Sequence, residues 1–209
     1  NVGRVDAAVG DLSLFSDAPI LIYPMLPESA EMNAADEFGL TEDADFGARL
    51  RVLKTLDKWN DAKDARSQGN VAPIIVASTA ALLQPVPTRE QIAEREITLR
   101  VHDEFGRDRL IHWLTDARLR PTTGVELRGE FSARGDVVDV YATNWENPVR
   151  VEFFGDEIDS IRVFDPATQR SVEELRCVEI SCLEARGRCE GYFDERFPTD
   201  APTLIAETE

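Results

Sequence analysis

Five carboxylates crowd two short stretches of this 209-residue chain. Asp136 and Asp139 lie in RGEFSARGDVVDVY (128–141), and Glu152, Asp156 and Glu157 lie in VRVEFFGDEIDSIRVFD (149–165). Paired carboxylates can share general acid and base work, so a small α/β enzyme is one reading of the group. Acidic residues on the open face and turns of a sheet are the commoner cause, and that reading is preferred here. Other catalytic constellations are missing from the sequence. There is no G-x-x-x-x-G-K-[ST] loop to cradle phosphates, and the lysines are only Lys54, Lys58 and Lys63. The chain is therefore expected neither to bind nor to hydrolyse ATP, and no cofactor is expected. His102 and His112 are too far apart for an i, i+4 metal pair on a helix. Cys177, Cys182 and Cys189 contain no C-x-x-C and have no evident fourth ligand. No metal is expected, and the cysteines read as reduced thiols in a cytoplasmic protein.

The arginines point elsewhere. Net charge is −17, yet residues 88–135 hold nine basic and nine acidic side chains, and all nine basic ones are arginine. A strongly acidic chain repels phosphate, so duplex DNA binding is not expected. Arginine is the better residue for forked, partly dried contacts with carboxylates on a protein partner. Arg128, Arg134 and Arg150 stand on the rim of the small sheet that the two stretches should form, and they are expected to dock another protein. Residues 150 and 152 share a strand face by spacing. Gly135, directly after Arg134, is expected to form a bulge that re-aims that arginine toward them. Arg134, Arg150 and Glu152 should then share one exposed face.

The elements that must position these residues follow from periodicity. PILIYP (19–24) and PIIVAS (73–78) read as short buried strands of parallel type. Between them, Phe46, Leu50, Leu53 and Leu56 mark an amphipathic helix over 45–59, with Arg49, Arg51, Lys54 and Lys58 available to solvent. Strand, helix, strand suggests a βαβ-like unit. The acidic stretch 28–45 and the polar stretch 60–70 read as connections. Prolines in LQPVPT (83–88) mark a boundary, and Thr88 with Gln91 opens a capped helix. EITLRV (96–101) alternates as a strand, and Leu110, Ile111, Leu114 and Ala117 mark a helix face, with Trp113 beside it in the core and His112 on the surface. In 149–154, Val149, Val151 and Phe153 point one way, and Arg150, Glu152 and Phe154 the other. Gly155-Asp156 closes a hairpin into 157–164. PTLIAE (202–207) reads as a strand that could rejoin the first sheet. No run of 18 apolar residues occurs. The start carries neither an initiator Met nor a signal pattern, so a processed protein or an excised piece of a longer one is expected.

With those residues in view, RGEFSARGDVVDVY and PVRVEFFGDEIDSIRVFDPATQRS resemble the module shared by the excision repair subunit UvrB and the transcription-repair coupling factors. The likeness extends through RLRVLKTL and IIVASTAALLQPVPT and covers roughly residues 18–180. CEGYFDERFPTDAPTLIAETE is similar to the segment in which the coupling factors' first domain resumes. UvrB carries an aromatic-rich DNA-gripping hairpin where this chain has ESAEMNAADEFGLTEDAD, whose only aromatic is Phe38. The coupling factors are therefore the nearer relatives, with a UvrB fragment as the alternative. The resemblance implies an α/β fold, namely a degenerate helicase-like (RecA-like) domain with an inserted α+β domain of antiparallel sheet plus helix. Residues 1–84 would form the first part of the helicase-like domain, 85–180 the inserted domain, and 181–209 the return. It also implies UvrA as partner of the inserted domain, with RNA polymerase and DNA engaged through regions absent from this chain. Arg134, Arg150 and Glu152 fall on family positions that face UvrA. Ser132 replaces an arginine of UvrB, and Pro121 stands where the family usually has another, with Arg120 one step before it.

Overall fold

The computed structural model describes residues 9–26, 44–62, 71–183 and 189–197. Most of the acidic stretch, most of the polar stretch 60–70 and the expected strand at 202–207 lie outside the described residues. Mixed parallel and antiparallel sheets with helices make the architecture α/β. The chain divides into two compact units, one of residues 1–25, 52–88 and 189–209, the other of 26–51 and 89–188.

In the first unit, β1 (Ile20–Tyr23) pairs in parallel with β2 (Ile74–Ala77), Ile20 opposite Ile74 and Tyr23 opposite Ala77. A parallel pair needs a crossover, and α1 (Ala44–Asp61) lies between the strands in sequence. The strands were expected to be buried. Instead β2 is half-buried throughout and Ile22 is exposed, because among the described residues each strand has a single neighbour. Tyr23, Val52, Leu53, Leu56, Ala81, Val86 and Phe193 form the core of this unit. α2 (Thr79–Leu83) starts at Ser78, whose hydroxyl accepts the Ala81 amide at 3.1 Å.

The returning segment is fastened to that core at several points. Val86 and Gly191 exchange amide-to-carbonyl bonds of 2.9 Å in both directions. A 3₁₀ turn, Phe193–Arg196, sets the Phe193 ring 4.2 Å from Tyr23 and edge-on to Phe197. The buried Arg196 guanidinium donates to Asp57 and to the Pro87 carbonyl, while the Asn60 amide reaches the Arg196 carbonyl at 2.7 Å.

All four apolar positions marked on α1 are buried. The four basic residues do not all face solvent as expected. Lys58 is exposed, Lys54 and Arg51 are half-buried, and Arg49 is buried. Arg49 stands three residues after Phe46 and one before Leu50, which places it inside the apolar stripe. Phe46 and Leu50 pack with Ile92 and Leu183 in the second unit. There a methyl at Gly47 would meet the Thr143 carbonyl oxygen at 2.2 Å, so glycine is what lets the helix approach that loop.

The second unit holds α3 (Arg89–Glu94), β3 (Glu96–Arg100) and α4 (Arg107–Asp116). A six-stranded sheet follows: β4 (Arg120–Pro121), β5 (Glu130–Arg134), β6 (Val137–Tyr141), β7 (Val149–Phe154), β8 (Glu157–Phe164) and β9 (Ser171–Leu175), neighbours in that order. All its pairings are antiparallel except β4 with β5. β10 (Cys177–Ser181) returns to pair with β3, Cys177 opposite Arg100. Leu110 and Leu114 of α4 pack with Val138, Val140, Val149, Val151, Phe153, Ile158 and Ile161, all buried. Trp113 packs against this cluster partly buried, and His112 is exposed. The expected alternation of 149–154 and the Gly155-Asp156 hairpin are both present. The expected bulge at Gly135 is not. Arg134 pairs with Val137, leaving Gly135 and Asp136 as a two-residue turn with Gly135 at φ 54. The register shifts fall instead at Glu152/Phe153 and Val163/Phe164.

Candidate protein-interaction site

One face of the six-stranded sheet covers the core, and the other carries the charged positions. Cross-strand register places them in three rows. The first is Arg120, Glu130 and Tyr141; the second is Ser132, Asp139, Arg150, Arg162 and Glu174; the third is Arg134, Val137, Glu152 and Ser160. Arg120, Arg134, Arg150 and Glu152 thus share one face, and Arg128 joins them by laying its guanidinium 5.3 Å from the Tyr141 ring centre.

Their environments differ. Arg134 is exposed, and its side chain makes no hydrogen bond or ion pair with any described residue. Arg150 and Glu152, expected to be exposed, are half-buried and already paired. Arg150 faces Arg162 directly across the strands, a repulsive arrangement that each relieves by turning to a carboxylate. Its Nε and Nη2 donate to the two Asp139 oxygens at 2.7 and 2.8 Å, and its plane covers Phe164 at 4.7 Å. The forked bond to Asp139 raises the Arg150 pKa above the usual arginine value. Arg162 pairs with Glu152, whose other oxygen accepts the Ser160 hydroxyl at 2.9 Å. Burial pushes the Glu152 carboxyl up, but these two bonds outweigh it and hold it below its ordinary range.

At the β4 end, the buried Glu130 carboxylate organises the loop before β5. It accepts the amides of Glu126 and Leu127 at 2.8 Å each and pairs with Arg120. Burial raises this carboxyl's pKa, and the two amides with Arg120 more than reverse that. Arg128 Nε donates to the Trp145 carbonyl at 2.9 Å. A depressed carboxylate stabilises the fold above its unfolded pKa, and the contribution is lost as pH falls through the native value. Glu130→Gln should therefore cost about 1–3 kcal/mol at pH 7, with the gap to the native chain closing below about pH 4.5. Melting temperatures of both chains from pH 7 to pH 3 test this; a constant gap would assign Glu130 a neutral hydrogen-bonding role.

Three of the five carboxylates are held by basic side chains. Asp139 and Glu152 are engaged by arginines, and Glu157 meets His102 Nδ1 at 2.9 Å. Asp136 and Asp156 line an open polar hollow with Glu104, Asp108, Arg107 and Arg109. The three cysteines are free; Cys182 is buried, which pushes its thiol pKa up. Among the described residues no helix is long and apolar enough to cross a membrane.

One surface residue escaped the sequence reading as a site candidate. Phe154 ends β7 on the charged face and is 83% exposed. The signal was present, since the alternation of VRVEFF sets the second phenylalanine in the polar phase.

Residues 97–184, which build this sheet and its flanking strands, match the family described as the UvrB interaction domain. The class is thus a protein-interaction module of DNA repair. The chain is 33% identical over 181 residues to the transcription-repair-coupling factor of Bacillus subtilis (strain 168), covering 86% of this chain and 14% of that protein. It is 38% identical over 141 residues to that of Mycobacterium bovis (strain ATCC BAA-935 / AF2122/97), covering 66% and 11%. To the UvrABC system protein B of Corynebacterium diphtheriae (strain ATCC 700971 / NCTC 13129 / Biotype gravis) it is 35% identical over 106 residues, covering 49% and 16%. The chain is homologous to the transcription-repair-coupling factors through the UvrB-homology region, and it spans about a seventh of the length of the first of these relatives.

Proposed function

We propose that this chain is the UvrA-recruiting portion of a transcription-repair coupling factor, working in the cytoplasm as a non-catalytic docking module. The first unit is the flanking part of a degenerate, RecA-like helicase domain, and residues 85–180 are the domain inserted into it. Parallel β1 and β2 with the α1 crossover support that reading, as does a first unit drawn from both sides of the second in sequence. In the whole protein an ATP-driven translocase removes stalled RNA polymerase from DNA, and this module passes the lesion to excision repair. The observation that carries the proposal is that the segment matching the UvrB interaction domain presents Arg134, Arg150 and Glu152 on one sheet face. Arg120 and Arg128 extend that face toward β4.

Arg134→Ala is the cleanest test, because Arg134 has no partner within the described chain to lose. It should weaken UvrA binding by about 1–3 kcal/mol and leave folding within about 0.5 kcal/mol. Arg150→Ala should weaken binding too, but with a lower melting temperature, since it strands the largely buried Asp139 and uncovers Phe164. Calorimetric titration and thermal unfolding of both variants separate the effects. Unchanged affinity in both would remove these arginines from the interface.

A further inference from the structure

Arg162 lies in the middle row of the charged face, with Arg150 of β7 directly opposite on one side and Glu174 of β9 on the other. Directly opposed side chains interact most closely across a sheet, so Glu174 is the expected partner for this guanidinium. Among the described residues Arg162 makes no ion pair with Glu174, which is exposed. It reaches diagonally instead, and its Nη2 binds Glu152 Oε1 on β7. Both members of that pair are only 30% exposed, and the Arg162 Nε is buried with no hydrogen-bond partner. The diagonal is therefore held at the cost of an unmet buried N–H, which an ordinary surface ion pair does not carry.

Glu152 feels both arginines of the row, since the charge of Arg150 also stabilises its carboxylate. Without Arg162, Arg150 would be the cation left to it. A turn of Glu152 toward Arg150 would neutralise the two groups against each other and withdraw both from a partner. In the structure Arg162 takes one carboxylate oxygen and the Ser160 hydroxyl the other, which fixes the group in place. Acceptor room remains, because a carboxylate offers about four lone-pair sites. A charge fixed before association loses little freedom on binding.

We infer that Arg162 is a positioning residue of the docking face, which holds Glu152 apart from Arg150 and so presents its carboxylate to a guanidinium or ammonium group on UvrA. Arg162 acts through Glu152 and not by a contact of its own with the partner. The inference rests on the UvrA reading above and adds the residue that keeps the charges of the face separate. A double-mutant cycle tests it. UvrA is titrated with the native chain, Arg162→Met, Glu152→Gln, the double variant and Arg162→Lys, with thermal unfolding of each. Arg162→Met should bind about tenfold more weakly. Arg162→Lys should stay within about threefold of native, because a single bond to one oxygen needs the charge and not the fork. In the Glu152→Gln background, Arg162→Met should change affinity by less than about twofold. Melting temperatures of the Arg162 variants should stay near native, since losing one half-buried pair also relieves the opposition to Arg150. Native-like affinity of Arg162→Met would overturn the inference. So would a loss that persists undiminished in the Glu152→Gln background, which would make Arg162 a direct contact. Affinity that falls only where the melting temperature falls would overturn it as well, because the role would then be structural. Those three outcomes leave the UvrA reading intact, whereas failure of the native chain to bind UvrA would sink that reading and the inference with it.

Discussion

Arg196→Ala should cost the first unit about 3–5 kcal/mol, the loss expected when one member of a buried ion pair is removed. Arg196 is 5% exposed and donates both to Asp57 on α1 and to the Pro87 carbonyl before α3. Alanine leaves the Asp57 carboxylate in a site only 16% exposed, and it frees a buried carbonyl. The returning segment would then keep the Val86–Gly191 bonds, the Asn60 bond to the carbonyl of residue 196 and the packing of Phe193 and Phe197, but would lose its charged fastener. Hydrogen exchange should show amides of 189–197 and of the C-terminal half of α1 losing protection, with a lower denaturation midpoint. A midpoint within about 0.5 kcal/mol of the native chain would mean the guanidinium is not the fastener.

Leu114→Ala should cost the second unit about 2–5 kcal/mol, the range for emptying a leucine site in a packed core. Leu114 is fully buried on α4, in one cluster with Leu110, Val140, Val149 and Ile161. The only helix of ten residues in this unit's described part lies over the sheet through these contacts. Loosening it should lower protection along β6 to β8, which carry Asp139, Arg150 and Glu152. UvrA affinity should then fall with stability, in contrast to Arg134→Ala, where affinity falls alone. An unchanged denaturation midpoint for Leu114→Ala would contradict the packing described.

Much of the second unit was legible from its residues. Alternation in 149–154 and the Gly-Asp turn give β7, its hairpin and the sharing of a face by Arg150 and Glu152, because a strand has only two faces. The apolar stripe of α1 was equally plain. Features that depend on register were not. Whether Gly135 makes a bulge or a turn depends on Arg134 pairing with Val137, and local sequence does not state that pairing. The Asp139–Arg150 bond is hidden for the same reason, since eleven residues of chain separate its members. β9 reads SVEEL with four exposed residues, so an edge strand with no buried alternation leaves no periodic signal. Arg49 shows the opposite failure: charge suggested solvent, while its place in the α1 stripe buried it. Phe154 reads as half of an apolar pair, and only the strand phase sets it outside.

Competition binding of the native chain to purified UvrA tests the docking claim most directly. Because the family match is to the UvrB interaction domain, the chain and UvrB should compete for one UvrA surface. Saturable binding of the chain, displaced by excess UvrB and weakened by Arg134→Ala, is the expected result. No binding to UvrA, or binding that excess UvrB leaves untouched, would contradict it.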